Sequence, residues 1–470
     1  MQMDVTMAIP ATVLKVLDDW HINYQLTDDQ ELFQLMQSNP PASYSAKVAN
    51  VVFLKDTIGQ VQVVIPGNRL LDLNQLAHQL GRQFTALSGA ELEKLKRQHG
   101  LTAFPALPQV TGIESLIDSH LLEQEELFIV SGGGEEWLKL PMEQFRTLIT
   151  RSRIGDYTAT LHTDIHYQDA HQDLDDVHAA LKQFTPLRIR QRLNETLDLP
   201  PLPETARRII ELRIDPNADT TSLAQVIELD PGMSAQVMSW ARSPYYGTRT
   251  EIKSIEEAVI RVLGFDLTIN LALGLSLGRS LSVPKEGPHG YAPYWQQSVV
   301  TASLCAELVR QIPTRLRPNQ SLAYLCGLLH NFGYLVLGHV FPPQFTLVNR
   351  HIEANPHVNR MYVERHLLGL TREQISACLL QQWRMPDELI AAVRQQHNPF
   401  YEGEHAEYSR LLYIATRSLR RHGFGDGPSE QTEDYLLDTL GLTADKVEEA
   451  TTNLLARMDD LQVLVQMLNR

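Results

Sequence analysis

Cysteine is scarce in this chain. There are three among 470 residues, Cys305, Cys326 and Cys378, well separated and in apolar, helix-like surroundings. That spacing excludes a disulfide framework and leads us to expect buried thiols in a reducing compartment. Positive charge is also in deficit: Lys plus Arg number 41 against 56 Asp plus Glu, a formal net charge of −15. Such a chain lacks the broad basic face that non-specific nucleic-acid binding needs, although a local basic groove is compatible with it. No uninterrupted apolar run approaches about 18 residues, so no membrane span is expected. The opening MQMDVTMAIPATVLKVLDDW lacks a basic start followed by an apolar segment, and acidic residues interrupt it by Asp18. It reads as an amphipathic helix, and a cytoplasmic protein is expected. What the chain does have is apolar residues at 43%, enough for a sizeable core. Its length suggests roughly two to four domains.

The first 150 residues mix periods. Ile9 to Trp20 reads as helix. Val48 to Leu54 and Val61 to Ile65 are strand candidates separated by the turn-forming DTIGQ, which predicts a hairpin. Leu73 to Leu80 returns to helix period, and Leu127 to Val130 is a short strand running into SGGGEE. Ser131 to Glu136 contains three consecutive glycines. A phosphate-cradling loop needs a following Lys-Ser/Thr and a helix start, and here WLKL follows as another strand, so a glycine hairpin loop is expected. The sum is an α+β domain with a mixed sheet over 1–150.

Character changes near Arg151 to Thr185. LHTDIHYQDAHQDLDDVH sets His162, His166, His171 and His178 among five aspartates. Their spacings of four, five and seven do not match a compact ligand motif, so 151–186 reads as a polar linker with a helical end. From Leu187 onward the chain is all-α in pattern. TTSLAQVIELDPGMSAQVMSWARS predicts two helices broken at Asp230-Pro231. SIEEAVIRVLG places Ser254 and Glu257 at capping-box spacing, with Gly264 as a stop. The Tyr245-Tyr246-Gly247 turn lies between. We divide this half into a helical domain over 187–412 and a helical extension over 413–470.

Within it, GLLHNFG runs from Gly327 to Gly333. A His-Asp dyad at this place would be a way to hold a divalent metal for phosphate-ester hydrolysis. Here the second residue is Asn331.

Several blocks in order, LPPLPETARRI, LAQVIELDPGMSAQVMSWARSPYYG, SIEEAVIRVLGFD, YWQQSVVTASLCAEL, GLLHNFGYLVL and LLQQWRMPDELIAAVRQQHNP, resemble the HDOD family, a branch of the HD-type phosphohydrolase fold found in bacterial signalling proteins. The resemblance covers roughly Leu199 to Leu412. In the first 150 residues, VANVVFLKDTIGQVQVVIPGNRLLDLNQLA, FPALPQV and IDSHLLEQEELFIVSGGGEEWLKL are similar to the YbaK/prolyl-tRNA-synthetase-associated editing domain.

HD-type catalysis uses neutral imidazoles and ionised carboxylates to hold one or two metals that activate a water. Carried over residue by residue, the catalytic family's first His falls at Gln297, its His-Asp dyad at His330 and Asn331, its next His at Arg372, its His pair at Gln396 and His397, and its late Asp at Thr416. His330 and His397 alone keep a ligand type. A neutral amide at 331 replaces an anionic carboxylate, and Arg372 would place a permanent cation beside the metals. The resemblance therefore implies a kept fold, no metal and no cofactor. His330 and His397 read as core histidines, or else as part of a pocket with Asn331 and Arg372 that takes a small anion or nucleotide. Trp295 and Trp383 read as core aromatics. In the editing family a Lys positions the substrate and a Gly-x-x-Pro turn shapes the pocket. Those positions fall here on Asn50 and on Thr102 to Pro105, while Lys47 and Lys55 lie at odd offsets from Asn50 and so on the other face of a strand.

Three functions follow as alternatives: a non-catalytic signalling protein acting through protein partners or a small ligand, a trans-editing deacylase joined to a regulatory module, and a metal-dependent nucleotide phosphodiesterase. The missing Lys, Gly-x-x-Pro and His-Asp dyad lead us to expect the first, with tRNA not a partner.

Overall fold

The computed structural model describes residues 9–27, 46–134, 136–161, 172–173, 175–180, 203–243, 252–279, 281, 284, 287–288 and 291–468. It divides into two compact units. The first comprises Met1–Asp164, Pro288–Gly290 and Thr346–Leu367, and the second Ile165–Gly287, Tyr291–Phe345 and Leu368–Arg470.

The first unit is α+β. Its strands are β1 (Gln25–Thr27), β2 (Ala49–Lys55), β3 (Gln60–Pro66), β4 (Arg69–Leu71), β5 (Thr85–Ala86), β6 (Glu114–Asp118), β7 (Glu126–Val130), β8 (Trp137–Pro141), β9 (Arg153–Gly155) and β10 (Thr158–Thr160). The main sheet has the order β5-β2-β3-β6-β9 and is mixed: β2 and β3 form the expected antiparallel hairpin, whereas β3-β6 and β6-β9 are parallel. β2 and β3 carry runs of β-branched residues, and Val61, Val63, Val64 and Ile65 are fully buried, as strands covered on both faces are. The glycine stretch is a hairpin loop, with Val130 paired to Trp137 across β7 and β8. The helix Leu73–Leu80 has the expected bounds. The Asp72 carboxylate accepts from Asn74 N and Gln75 N at its start, and Gly81 closes it at φ +67°.

The stretch read as a linker is more structured than expected. β9 and β10 belong to the first unit, and Tyr157 between them is buried. Three-residue strands carry too little alternation to be seen in sequence. Further on, residues 175–180 are helical, as expected, and Asp173 is buried within the second unit, where Arg394 Nη2 donates to it at 2.7 Å and Arg394 Nε makes a second, short bond. Gln374 Nε2 donates to the same carboxylate at 2.7 Å. His162, His166, His171 and the Tyr245-Tyr246-Gly247 turn lie outside the described residues.

The second unit is helical throughout its described part. Thr220–Glu228 and Pro231–Ala241 break where expected, because Asp230 caps the second helix by accepting from Met233 N and Pro231 takes its first position. Ser254 Oγ likewise accepts from Glu257 N. All three cysteines are free and buried, and burial pushes each thiol pKa upward, as inert core thiols require. One helical stretch, Gln320–His339, is long and apolar enough to cross a membrane, which the interrupted sequence did not suggest; 83% of its apolar window is buried inside the fold, as in a core helix.

Candidate functional site

The segment GLLHNFG joins two helices. Gln320–Leu329 is capped by Asn319, whose side chain accepts from Leu322 N at 2.9 Å, and Phe332–Val340 follows. His330 and Asn331 form the junction. Its two glycines let neighbouring helices approach. A Cβ on Gly327 would overlap the backbone of Ala302 in Tyr294–Gln311, and one on Gly333 would overlap the carbonyl of Arg372 in Arg372–Gln382. So the junction sits against two further helices, and those helices carry Gln297 and Arg372.

The structure brings three of the aligned positions into one hydrogen-bond chain. Arg372 Nη1 donates to Asn331 Oδ1 at 3.1 Å. Asn331 Nδ2 points at Gln297 Oε1 at 3.5 Å, and Gln297 Nε2 donates to the Ala292 carbonyl at 2.7 Å. All three side chains are buried. The chain is directional: each amide accepts on one side and donates on the other. The Arg372 guanidinium also lies over the Tyr334 ring, 5.2 Å from its centroid. Burial pushes the Tyr334 phenol upward in pKa, with Arg372 opposing the shift.

The remaining positions are tied elsewhere. His330 Nδ1 donates to the Gly327 carbonyl at 2.7 Å, a tautomer fixed because a carbonyl can only accept. Gln396 Nε2 donates to the His330 carbonyl at 2.7 Å and to Val393 O at 3.0 Å. His397 Nε2 lies 3.3 Å from Glu373 Oε1, both buried. Glu373 was missed in the sequence. Only its place beside Arg372, in the first turn of a helix entering the site, could have signalled it. Thr416 Oγ1 donates to Leu412 O at 2.8 Å in its own helix, so it bonds locally and does not extend the chain. Trp295 and Trp383 are buried core aromatics; the former packs on Tyr294 and the latter on Phe332.

This donor set does not fit a divalent metal. Its two imidazoles and one carboxylate are not brought to metal-ligand spacing, since His330 Nδ1 is tied to the Gly327 carbonyl and His397 Nε2 faces Glu373, whereas stable sites use three or four converging protein ligands. Among the described residues, the one group of His, Cys, Asp and Glu at metal-ligand spacing is Asp118, His120 and Asp156 in the first unit. Even there the buried Asp118 carboxylate already accepts from His120 N, Tyr157 N and Thr158 Oγ1.

In the editing-type unit, Asn50 lies on β2 opposite Ile65 and is half-buried. Neither nearby lysine takes its place. Lys47 pairs with Glu126 at 3.0 Å, and Lys55 grips both oxygens of Glu91 at 2.6 and 2.8 Å. Thr102 donates from N (2.8 Å) and from Oγ1 (3.2 Å) to the Gly132 carbonyl. Gly132 has φ +91°, and a Cβ there would crowd Leu101, Pro105 and Val13. Thr102 and Pro105 therefore hold the glycine loop in place.

Comparison with known proteins agrees with the two-part fold. Residues 199–399 match the HDOD domain, and residues 41–148 match the aminoacyl-tRNA editing domain. The crystal structure of a protein from Marinobacter aquaeolei VT8, described as a candidate signal transduction protein, is 39% identical, covers 98% of this chain and 100% of its own, and superposes with a TM-score of 0.88. An HDOD domain protein of unknown function from Geobacter sulfurreducens is 18% identical over 64% of this chain and 99% of its own, with a TM-score of 0.49. An uncharacterized protein from Treponema pallidum (strain Nichols) is 24% identical over 260 residues, 55% of this chain, and the chain spans about half of that relative's length, 49%. The chain belongs to the HDOD family, in the form that carries an aminoacyl-tRNA editing-type domain ahead of the HDOD domain.

Proposed function

We propose that this protein is a non-catalytic regulator whose HDOD domain acts by binding a protein partner in a signalling pathway, without a metal. The observation that carries this reading is the Arg372–Asn331 contact: a guanidinium and an amide stand where the catalytic relatives are expected to hold metal ligands. A buried guanidinium supplies fixed positive charge with five donors, so the electrostatic work of a metal is done permanently and no water is activated. The similarity to the Marinobacter protein supports the regulatory part of this reading. The editing-type domain is, in this proposal, a packing or ligand-sensing module without deacylase activity, because Asn50 has no charge to hold a tRNA end. Affinity capture with the full chain tests it. Partners retained by wild type and by His330→Ala alike support a binding role that needs no ligand set. Hydrolysis of cyclic or linear dinucleotides by the purified protein would contradict it.

A small anion is the second ligand this site suits, since Arg372 offers a buried cation lined by amides and a phenol ring. Phosphate or a nucleotide should then raise the melting temperature of wild type and leave that of Arg372→Ala unchanged.

A further inference from the structure

Residues 346–367 fall within the HDOD match yet pack in the first unit, beside β4. The contacts are side chain to strand. Asn355 clamps Leu71 with its amide: Oδ1 accepts from Leu71 N at 2.7 Å and Nδ2 donates to Leu71 O at 3.0 Å. His357 Nε2 donates to the Arg69 carbonyl at 3.0 Å. Next along the chain comes Asp72, whose carboxylate faces two imidazoles, with His351 Nε2 3.7 Å from Oδ1 and His366 Nε2 3.3 Å from Oδ2.

The two rings differ in one respect. His351 is 2% exposed, and its Nδ1 donates to the Leu347 carbonyl at 3.0 Å. That bond fixes the neutral tautomer, so Nε2 carries a lone pair. Among the described residues this buried Nε2 has no hydrogen-bond partner, and it is aimed at a carboxylate oxygen, so two acceptors face each other. A proton on Nε2 turns that opposition into a charge-assisted contact. His366 is more exposed, and its Nε2 can donate to Asp72 in either protonation state.

We propose that Asp72 and His351 form a proton-operated clamp: uptake of one proton at His351 Nε2 fastens residues 346–367 to β4, and its loss slackens them. The surrounding charges are consistent with this. Burial raises the Asp72 pKa, but hydrogen bonding from His351, in the protonated form that the clamp invokes, from His366 and from the N–H groups of Gln75 and Asn74 lowers it well below the usual carboxylate range. Arg69 is turned to Thr158, with Nε 2.6 Å from Oγ1, and Arg360 is paired with Glu364 at 3.3 Å, so neither neutralises Asp72. His357 works in the opposite sense, since its ring resists protonation down to about 4 through burial. A metal ion is the competing explanation, although these groups are not at metal-ligand spacing, and the test separates the two.

Hydrogen exchange of the full chain, corrected for intrinsic rates, tests the proposal at pH 6 and pH 8. In wild type, residues 346–367 should exchange several-fold more slowly at pH 6. Asp72→Asn keeps the helix cap, because Asn caps about as well as Asp, and removes only the charge. In that variant the advantage should vanish or reverse, leaving His357 alone to act. His351→Gln should behave like Asp72→Asn while β3 keeps its protection. An identical pH response in wild type and Asp72→Asn would overturn the clamp. So would slow exchange at pH 8 that requires added zinc, which would assign the site to a metal.

Discussion

Arg372 Nη1 donates to Asn331 Oδ1 at 3.1 Å, and both side chains are at most 2% exposed. This contact joins the junction of two helices to the first turn of a third. It makes Arg372 a structural element of the site. Arg372→Ala strands the Asn331 carbonyl and should cost about 1–3 kcal/mol in urea unfolding. Arg372→Lys keeps the charge but loses the planar fork, and should recover only part of that loss. Full stability in Arg372→Ala would show that the contact contributes nothing.

Gly333→Ala should destabilise the protein by at least about 1–3 kcal/mol, because the added methyl meets the Arg372 carbonyl and Ser376 Oγ of a packed helix rather than a flexible side-chain end. Gly134→Ala, where a Cβ meets nothing within 4 Å, is the matched control and should change stability by less than about 1 kcal/mol. Equal effects of the two in a thermal melt would contradict the close approach.

The expected α+β and all-α halves, the β2–β3 hairpin and the break at Asp230-Pro231 were legible because each is written in local chemistry: alternating β-branched residues, turn residues, an N-cap beside a proline. The aligned site positions rest on the resemblance alone. What the sequence hid is long-range. Asp173 looked like one of five aspartates in a polar run, and only folding pairs it with Arg394, 221 residues away. Glu373 looked like an ordinary first-turn acid. The packing of residues 346–367 beside β4 rests on Asn355, His351 and His366, polar residues with no pattern of their own.

Asp173→Ala removes the carboxylate that takes two guanidinium N–H groups from buried Arg394 and one from Gln374. The loss should be about 3 kcal/mol. Limited proteolysis should cut between residues 151 and 186 faster in this variant than in wild type, leaving two resistant fragments. Unchanged cleavage would mean that Asp173 does not hold this stretch.

His357 gives a pH dependence of known sign. Burial keeps its imidazole neutral down to about 4, below the ordinary value of about 6.5. The unfolded chain therefore takes up the proton first as pH falls. Its contribution is fully present above about 6.5 and is lost as pH drops toward 4. Because the ring is only partly buried, about 2 kcal/mol is the expected size. Urea unfolding at pH 7.5 and pH 4.5 should show a smaller drop for His357→Gln than for wild type; an equal drop would remove the role assigned to it.

The central claim is that the HDOD site works without a metal. Elemental analysis of full-length protein, expressed in medium supplemented with Mn, Fe, Ni and Zn and purified without chelator, tests it most directly. The account predicts far less than one metal per chain bound at this site, and no change in metal content on His330→Ala or His397→Ala. A stoichiometric metal that disappears in both variants would contradict it and restore the phosphohydrolase reading.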